Sequence, residues 1–384
     1  MNLAPDSSRL HIVLTGNCNS GKSTLLNTIT GQRVAIVSEV AGTTTDRVCK
    51  AIELPGLGAC TLVDTAGLDD TGPLGQSRVQ TALEALKEAD IIICVIDACS
   101  GRLPDIPGRQ EATSIVTYIS KCEMVSAETI EAISAAAKDK YGKSPVRGSE
   151  GTPALLEALR EAVPKDWEGL PLTEGLVPAG GVAVLVMPQD SEAPKGRLIL
   201  PQQQLIRELL ERGCRALCCT PSTLEAALSS LEGTPDAIIT DSQAFAAVKA
   251  AAPQGVTITS FSILLAASKG DIGYFRRSAR VIDTLGPGSR VLIAEACTHV
   301  PASEDIGRVR IPRLLRSRAG EGLQIDFACG RDFPADLTPY DLVIHCGACM
   351  FNRRYVLSRV HQARSQKVPM TNYGVAIAYI NKLI

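Results

Sequence analysis

The sequence predicts an α/β protein of three domains. Short β-branched runs alternate with amphipathic stretches along all 384 residues, which is the pattern of parallel sheets connected by helices. That length exceeds what one hydrophobic core supports. Pro- and Gly-rich breaks near residues 163–180 and 269–288 divide the chain into residues 1–165, 166–275 and 276–384. The runs predicted as strands are residues 11–15, 62–64, 91–97, 182–187, 216–220, 237–240, 291–295 and 342–345.

Composition argues against several classes of protein. A net charge of −2 and an aromatic content of 4% do not favour a nucleic-acid binder. Residues 1–10 lack the apolar core of a signal peptide, and the apolar run at 91–96 is too short to span a bilayer. We therefore expect no nucleic-acid or membrane partner and a cytoplasmic location, or an organellar stroma if a transit peptide has been removed. The 13 cysteines are then thiols that are buried, reactive or metal-binding.

A phosphate-binding loop follows the first predicted strand. The sequence Gly16-Asn-Cys-Asn-Ser-Gly21-Lys22-Ser23 precedes a helix start, so its backbone N–H groups and the helix N-terminus can surround phosphate oxygens. Lys22 would neutralise the β- and γ-phosphates, and the Ser23 hydroxyl would bind Mg²⁺. The predicted nucleotide-binding residues of the loop are Asn17, Asn19, Ser20, Gly21, Lys22, Ser23 and Thr24.

Two later segments complete a GTPase switch. Asp64-Thr-Ala-Gly67 ends a second strand and directs a carboxylate toward the metal and a Gly N–H toward the γ-phosphate. The segment Gly42-Thr43-Thr44-Thr45-Asp46 lies between the two motifs, and one of its hydroxyls can reach Mg²⁺. The candidate catalytic residues are Lys22, Thr44, Asp64 and Gly67.

These motifs together resemble the GTPases of the tRNA-modification and ribosome-assembly branch. The resemblance rests on Asn19 within the loop, on Gly42-Thr-Thr and on Asp64-Thr-Ala-Gly-Leu68. It implies that Asn19 binds a K⁺ ion beside the phosphates, in place of an arginine finger, and that Thr44 is a Mg²⁺ ligand. Asn19 as a simple turn residue is the alternative.

The guanine-reading motif is altered. Where Asn-Lys-x-Asp is expected, near residue 120, the chain has Ser120-Lys121-Cys122-Glu123. Glu123 can still accept from the guanine N1–H and amino group, and we predict that Lys121 and Glu123 contact the nucleotide. Weak base specificity is a hypothesis that fails if GTP binds far more tightly than ATP.

Two thiol motifs follow the last predicted strands. Cys297-Thr298-His299 and His345-Cys346-Gly347-Ala348-Cys349 would both sit at the carboxyl edge of a parallel sheet, where ligands bind. Three thiolates with one weaker ligand suit an iron–sulfur cluster or a Cys₃His zinc site. A redox or incidental Cys pair is the alternative. The candidates for the fourth position are His299, His345, Glu304 and Asp305.

Over nearly its whole length the chain resembles the FeFe-hydrogenase maturation GTPases. The residues that carry this resemblance are the GTPase motifs, the segment 193–204, Glu295-Ala-Cys-Thr-His299, Asp305-Ile-Gly-Arg308 and His345-Cys-Gly-Ala-Cys349. It implies a P-loop GTPase domain with a mostly parallel sheet, an α/β dimerisation domain and an α/β domain that binds a 4Fe-4S cluster. The cluster ligands are then Cys297, Cys346 and Cys349, with Glu304 ranked first, His299 second and His345 third for the fourth.

The resemblance also implies a function. The protein would be a homodimeric scaffold that uses GTP, Mg²⁺, K⁺ and a 4Fe-4S cluster. It would receive the di-iron subcluster precursor from radical-SAM maturases and deliver it to immature FeFe-hydrogenase. A basic face could offset an anionic cargo or simply be solvated; its residues are Arg308, Arg310, Arg313, Arg316 and Arg318. The alternatives are a tRNA-modification or ribosome-associated GTPase with a structural zinc site, and an interaction module built on that zinc.

Overall fold

The computed structural model describes residues 5–31, 48–71, 74–107, 113–165, 167, 171–188, 198–296 and 305–382. The chain separates into two compact units, residues 1–168 and residues 169–384. None of the described helices is both long and apolar enough to cross a membrane. The predicted α/β class is confirmed, whereas the three domain boundaries stay predictions.

The first unit contains a six-stranded sheet in the order β2-β3-β1-β4-β5-β6. β2 and β3 are antiparallel, and every other neighbouring pair is parallel. Its elements are β1 (Leu10–Gly16), α1 (Lys22–Thr30), β2 (Val48–Leu54), β3 (Gly58–Asp64), α2 (Gly75–Glu88), β4 (Ile91–Asp97), β5 (Ser114–Ser120), α3 (Ala127–Tyr141), β6 (Val146–Arg147) and α4 (Gly151–Ala162).

The central strands of this sheet are buried on both faces. All seven residues of β1 and the first six of β4 are inaccessible, because helices cover the sheet from either side. β2 is mostly half-buried, as its place at the sheet edge requires. The buried strands β1, β3 and β4 therefore end together at one edge, and β1 and β3 carry the phosphate loop and the switch carboxylate there.

The second unit contains two four-stranded parallel sheets. The first has the order β10-β9-β7-β8. Its elements are β7 (Val182–Val186), α5 (Leu200–Glu211), β8 (Arg215–Cys219), α6 (Leu224–Ser229), β9 (Ala237–Thr240), α7 (Phe245–Ala251), β10 (Thr257–Ser260) and α8 (Phe261–Lys269).

The second sheet of this unit has the order β12-β11-β13-β14. A short π-helical turn, Ile306–Arg310, precedes α10. The elements are α9 (Ile272–Ala279), β11 (Arg290–Glu295), α10 (Ile311–Ala319), β12 (Gln324–Cys329), β13 (Leu342–His345), α11 (Arg353–Ser365), β14 (Met370–Asn372) and α12 (Tyr373–Ile380). The hydrophobic core around this second sheet includes Ala266 of α8. The helix that follows the first sheet therefore also packs in the core of the second.

Candidate functional site

The phosphate loop joins β1 to α1, as predicted. Gly21 stands directly before the helix with φ +89°, a left-handed conformation that glycine adopts without strain. Asn19 is also left-handed, with φ +58°, and its side chain is exposed. Asparagine is among the residues that tolerate this conformation, so the turn interpretation of Asn19 explains its backbone, while the amide faces outward.

The Lys22 side chain turns back onto the phosphate loop. Its Nζ donates to the carbonyl oxygens of Gly16 at 3.3 Å and Asn17 at 2.7 Å. Burial lowers the pKa of Lys22, and the nearby Asp64 carboxylate opposes that shift. The hydrogen bonds of this ammonium group go to carbonyl oxygens, so the nearby Asp64 carboxylate compensates its charge only in part. A nucleotide phosphate would supply the missing anion.

Ser23 and Asp64, two of the residues predicted to bind Mg²⁺, lie in contact. The Ser23 hydroxyl donates to Asp64 Oδ2 at 2.5 Å. Asp64 Oδ1 is buried and has no hydrogen-bond partner among the described residues. Burial raises the pKa of Asp64, while the Ser23 hydrogen bond and Lys22 act in the opposite direction. An orphaned carboxylate oxygen beside a hydroxyl is the donor set that Mg²⁺ prefers.

The switch segment after β3 packs directly on the phosphate loop. Gly67 touches Cys18 so closely that a Cβ added at Gly67 would overlap the Cys18 backbone. The Leu68 N–H donates to the Gly16 carbonyl at 3.2 Å, and the Cys18 N–H donates to Asp69 at 2.6 Å. Burial and the Asp69 carboxylate raise the pKa of Cys18 to about 11, so this thiol stays protonated at neutral pH. The two motifs therefore meet, as predicted.

The altered base-reading motif keeps a structural task. Ser120 Oγ donates to the Ser20 carbonyl at 2.7 Å, within the phosphate loop. Lys121 Nζ donates to the Asn19 carbonyl at 2.8 Å and pairs with Asp97 Oδ2 at 2.7 Å. Asp97 was missed from sequence, although a carboxylate that ends the apolar strand β4 at the same sheet edge was a usable signal. The motif therefore fastens β5 to the phosphate loop.

The remaining predicted nucleotide contacts lie around this loop. Glu123 and Thr24 are exposed, and Asn17 is half-buried. The Ser20 Oγ is buried without a hydrogen-bond partner among the described residues. Thr44 lies outside the described residues, so its predicted role as a Mg²⁺ ligand stays a prediction.

The two cysteines of the second thiol motif follow β13 at the carboxyl edge of the C-terminal sheet. Cys346 is buried, and its Sγ accepts from the Ala296 N–H at 3.0 Å and from the Ala348 N–H at 3.4 Å. Cys349 is half-buried. Ala296 is the residue before Cys297, so the chain enters the first thiol motif in contact with Cys346. Cys297, His299 and Glu304 themselves lie outside the described residues.

His345 is fully committed within the protein. Its Nδ1 bonds the Cys346 carbonyl at 2.8 Å and its Nε2 lies 2.7 Å from Arg359 Nη1. Burial and the Arg359 charge lower its pKa to about 3, so the ring is neutral. Arg359 has to donate to Nε2, which leaves Nδ1 as the N–H donor. Iron could reach His345 only by breaking one of these bonds. Asp305 is likewise engaged, because its Oδ1 caps the turn at Arg308 N.

Two residues near the thiols were missed from sequence. Lys269 Nζ donates to the carbonyls of Ala348 and Phe351, at 2.8 and 2.7 Å. Cys329 ends β12 and accepts from Arg308 Nη2 at 2.7 Å. No sequence feature near Lys269 indicated its role. Cys329 ends a run of alternating polar and apolar residues, which was a weak signal for a strand. Across the described ranges, no three His, Cys, Asp or Glu side chains form a group that could hold a metal ion.

Comparisons with known families match three consecutive segments of the chain. Residues 11–131 match the family described as 50S ribosome-binding GTPase. Residues 172–270 match the hydrogen maturase F dimerization domain, and residues 273–384 match its tetramerization domain. The predicted GTPase and the predicted oligomerisation are thereby confirmed at this level. The last match adds assembly to a segment for which we had predicted only cluster binding.

Curated relatives align with part of this chain. A tRNA modification GTPase MnmE from Lachnoclostridium phytofermentans is 41% identical over 111 residues, covering 29% of this chain and 23% of the relative. A GTPase Der from Pelotomaculum thermopropionicum is 33% identical over 206 residues, covering 51% and 45%. The chain thus spans less than half the length of these relatives.

Among solved structures, Era from Aquifex aeolicus bound to GDP.AlF4- aligns with 55% of this chain and 92% of its own, at 20% identity and a TM-score of 0.35. The two hydrogen maturase F domains together cover more than half of the sequence and follow one another after the GTPase match, which ends at residue 131. The chain belongs to the hydrogen maturase F family of GTPases.

Proposed function

We propose that this protein hydrolyses GTP and acts as a scaffold for the di-iron subcluster of FeFe-hydrogenase, which it transfers to the immature enzyme. The family supports the biological context. The observation that carries the proposal is the contact of Ala296 N–H with Cys346 Sγ, because it brings the entrance of one thiol motif to the other. The nucleotide site and the thiol site then perform separate tasks.

The nucleotide half of the proposal rests on the closed phosphate loop. Lys22 would exchange its two carbonyl partners for the β- and γ-phosphates. Ser23, Asp64 and Thr44 would hold Mg²⁺, which when bound neutralises charge that develops on the phosphates. The Gly67 N–H would report the γ-phosphate, because its segment packs on the loop. Gly67 would thereby couple hydrolysis to the switch segment.

Potassium fits the exposed amide of Asn19. The backbone there is held by Lys121, so the side chain is not required for the turn. An amide oxygen is a hard ligand of the kind that alkali cations prefer. A K⁺ ion bound there would supply the positive charge that an arginine finger supplies in other GTPases.

The thiol half rests on donor chemistry. We assign a 4Fe-4S cluster to Cys297, Cys346 and Cys349, which would leave one iron for an exchangeable ligand. Backbone N–H groups that donate to sulfur, as Ala296 and Ala348 do to Cys346, stabilise a thiolate. Because His345 is committed to Arg359 and Cys346, we keep Glu304 first and His299 second as the fourth ligand.

The proposed role of GTP is regulatory. Hydrolysis would change the switch segments and thereby the docking of the radical-SAM maturases and the hydrogenase. We assign the homodimer contact to residues 172–270, which match the dimerization domain. Analytical ultracentrifugation of the full chain tests this assembly, and a monomer mass would contradict it.

Anaerobic reconstitution with ferrous iron and sulfide, followed by EPR spectroscopy, tests the cluster. Wild type should show a cluster signal that Cys346→Ser loses. Cys218→Ser is the matched control, since Cys218 is exposed and lies in the other sheet of the same unit. Tightly bound zinc and no iron would refute the scaffold.

A second candidate function follows from the similarity to the MnmE and Der GTPases. In that case the protein would be a tRNA-modification or ribosome-associated GTPase with a structural zinc site. The zinc outcome of the reconstitution experiment is the result that would favour it.

A further inference from the structure

The loop that carries Cys346 and Cys349 rests on the end of a helix from an earlier part of the chain. Lys269 is the last residue of α8, which closes the first sheet of the second unit. Its Nζ donates to the carbonyls of Ala348 and Phe351. These two carbonyls flank Cys349, so one ammonium group fixes the backbone on both sides of that thiol.

Further contacts from the same helix end support the loop. Leu265 lies 3.4 Å from where a Cβ at Gly347 would stand, so this side chain of α8 packs against the loop. Arg353 Nε donates to the Ser268 carbonyl at 3.0 Å. The C-terminal turn of α8 therefore supports residues 347–353. Among the described residues, Lys269 is the one charged side chain that this turn contributes to the contact.

Lys269 lacks a carboxylate partner among the residues that the structure describes. Its side chain is only 7% exposed, and its hydrogen bonds go to carbonyl oxygens. The two carbonyl oxygens that it holds stand on either side of Cys349, so the buried ammonium group lies beside the thiol loop. A buried ammonium without an anion is costly unless a partner arrives.

A metal–thiolate group would be that partner. A 4Fe-4S cluster held by thiolates carries net negative charge in its usual oxidation states, and nearby positive charge and hydrogen bonds set its reduction potential. We propose that Lys269 is a positioning residue for the metal group on Cys346 and Cys349, holding their loop by two carbonyls and offsetting the negative charge of the group. This inference rests on the cluster assignment under the proposed function.

The inference also links two parts of the chain. Lys269 lies within residues 172–270, the dimerization domain, while the thiols lie within residues 273–384. A change at the end of α8 would therefore reach the thiol loop, and Lys269 is the charged side chain that would carry it.

Lys269→Gln and Lys269→Arg test the assignment in the full-length protein after anaerobic reconstitution with ferrous iron and sulfide. Glutamine keeps a hydrogen-bond donor but removes the charge, whereas arginine keeps the charge. Lys249→Gln is the matched control, because Lys249 is exposed on α7 of the same unit. The readouts are iron per chain, EPR line shape, the midpoint potential from an EPR-monitored redox titration, and circular dichroism.

We expect Lys269→Gln to shift the midpoint potential to a more negative value and to change the EPR line shape. Lys269→Arg should restore the potential toward wild type, and Lys249→Gln should match wild type. A wild-type cluster with an unchanged potential in Lys269→Gln would overturn the role of Lys269 alone. A wild type that binds no iron would overturn the cluster assignment and this inference together. If Lys269→Gln does not keep the native circular dichroism spectrum, Lys269→Arg decides the outcome. A correctly folded Lys269→Arg with a midpoint potential far from that of wild type would also refute the charge offset.

Discussion

Two buried lysines serve two loops at the carboxyl ends of parallel strands. Lys22 and Lys269 are each 7% exposed, and each donates to two backbone carbonyls of its loop. Lys22 reaches carbonyls five and six residues away in sequence, whereas Lys269 reaches 79 and 82 residues away. A lysine whose partners are close in sequence can be recognised as part of a motif. A lysine whose partners are distant in sequence is recognised only in the folded structure.

The difference has a functional counterpart. The phosphate loop is assembled within one family domain, residues 11–131, which also contains the Ser120 hydroxyl that holds the loop. The thiol loop depends on β11, β13 and the end of α8, so it combines segments from two family domains. The following changes test whether the first site is as self-contained as this contrast requires.

Lys22→Ala should have the largest effect. Removing the phosphate-facing charge should lower the rate of GTP hydrolysis by about a thousandfold. Phosphate release under saturating GTP measures it, and Lys143→Ala, an exposed lysine of the same unit, is the control. Hydrolysis within tenfold of wild type would contradict the role of Lys22.

Replacing K⁺ by Na⁺ should lower hydrolysis by about a hundredfold, since a charge-stabilising group is lost from the transition state. Asn19→Gly keeps the left-handed turn accessible and removes only the amide. In K⁺ buffer this variant should fall to the rate of wild type in Na⁺. Equal rates of wild type in the two salts would favour the turn interpretation of Asn19.

Gly67→Ala should separate the switch segment from the phosphate loop, because the new Cβ meets Cys18. We expect about a tenfold loss of hydrolysis from a displaced hydrogen-bond donor, with GDP affinity nearly unchanged. Stopped-flow binding and single-turnover hydrolysis distinguish the two quantities. Gly233→Ala, where a Cβ has open space, is the control.

Ser120→Ala should have the smallest effect. It removes a hydroxyl that donates to the Ser20 carbonyl, so GTP affinity should fall by about fivefold. A competition titration of GTP against ATP in wild type and in Glu123→Ala addresses base choice in the same assay. A strong wild-type preference for GTP that survives Glu123→Ala would show that this carboxylate does not read the base.

Sequence reasoning succeeded where the signal was local. Each run predicted as a strand overlaps an observed one, because buried central strands such as β4 are continuous apolar runs. The predicted runs did not include β2, β5, β6, β10, β12 and β14. β2, β10 and β12 are edge strands with exposed positions, and β6 and β14 have only two and three residues. Lys22, Ser23 and Asp64 lie close together because their motifs end neighbouring parallel strands, while their roles stay predictions.

Distant partners were beyond the reach of spacing. Nothing near Lys269 marks it as a neighbour of Cys349, and the commitment of His345 to Arg359 depends on a helix that begins after the thiol motif. Asp97 is an intermediate case, because its place at the end of a central strand was a usable signal for the sheet edge but not for its partner Lys121.

The central claim is that the nucleotide site and the thiol site perform separate tasks, so that each works when the other is lost. The direct test measures iron per chain and GTP hydrolysis side by side in Lys22→Ala and Cys346→Ser after anaerobic reconstitution. We predict that Lys22→Ala keeps its iron and loses hydrolysis, while Cys346→Ser keeps hydrolysis and loses its iron. Loss of both properties in either variant, with a native fold by circular dichroism, would contradict the claim.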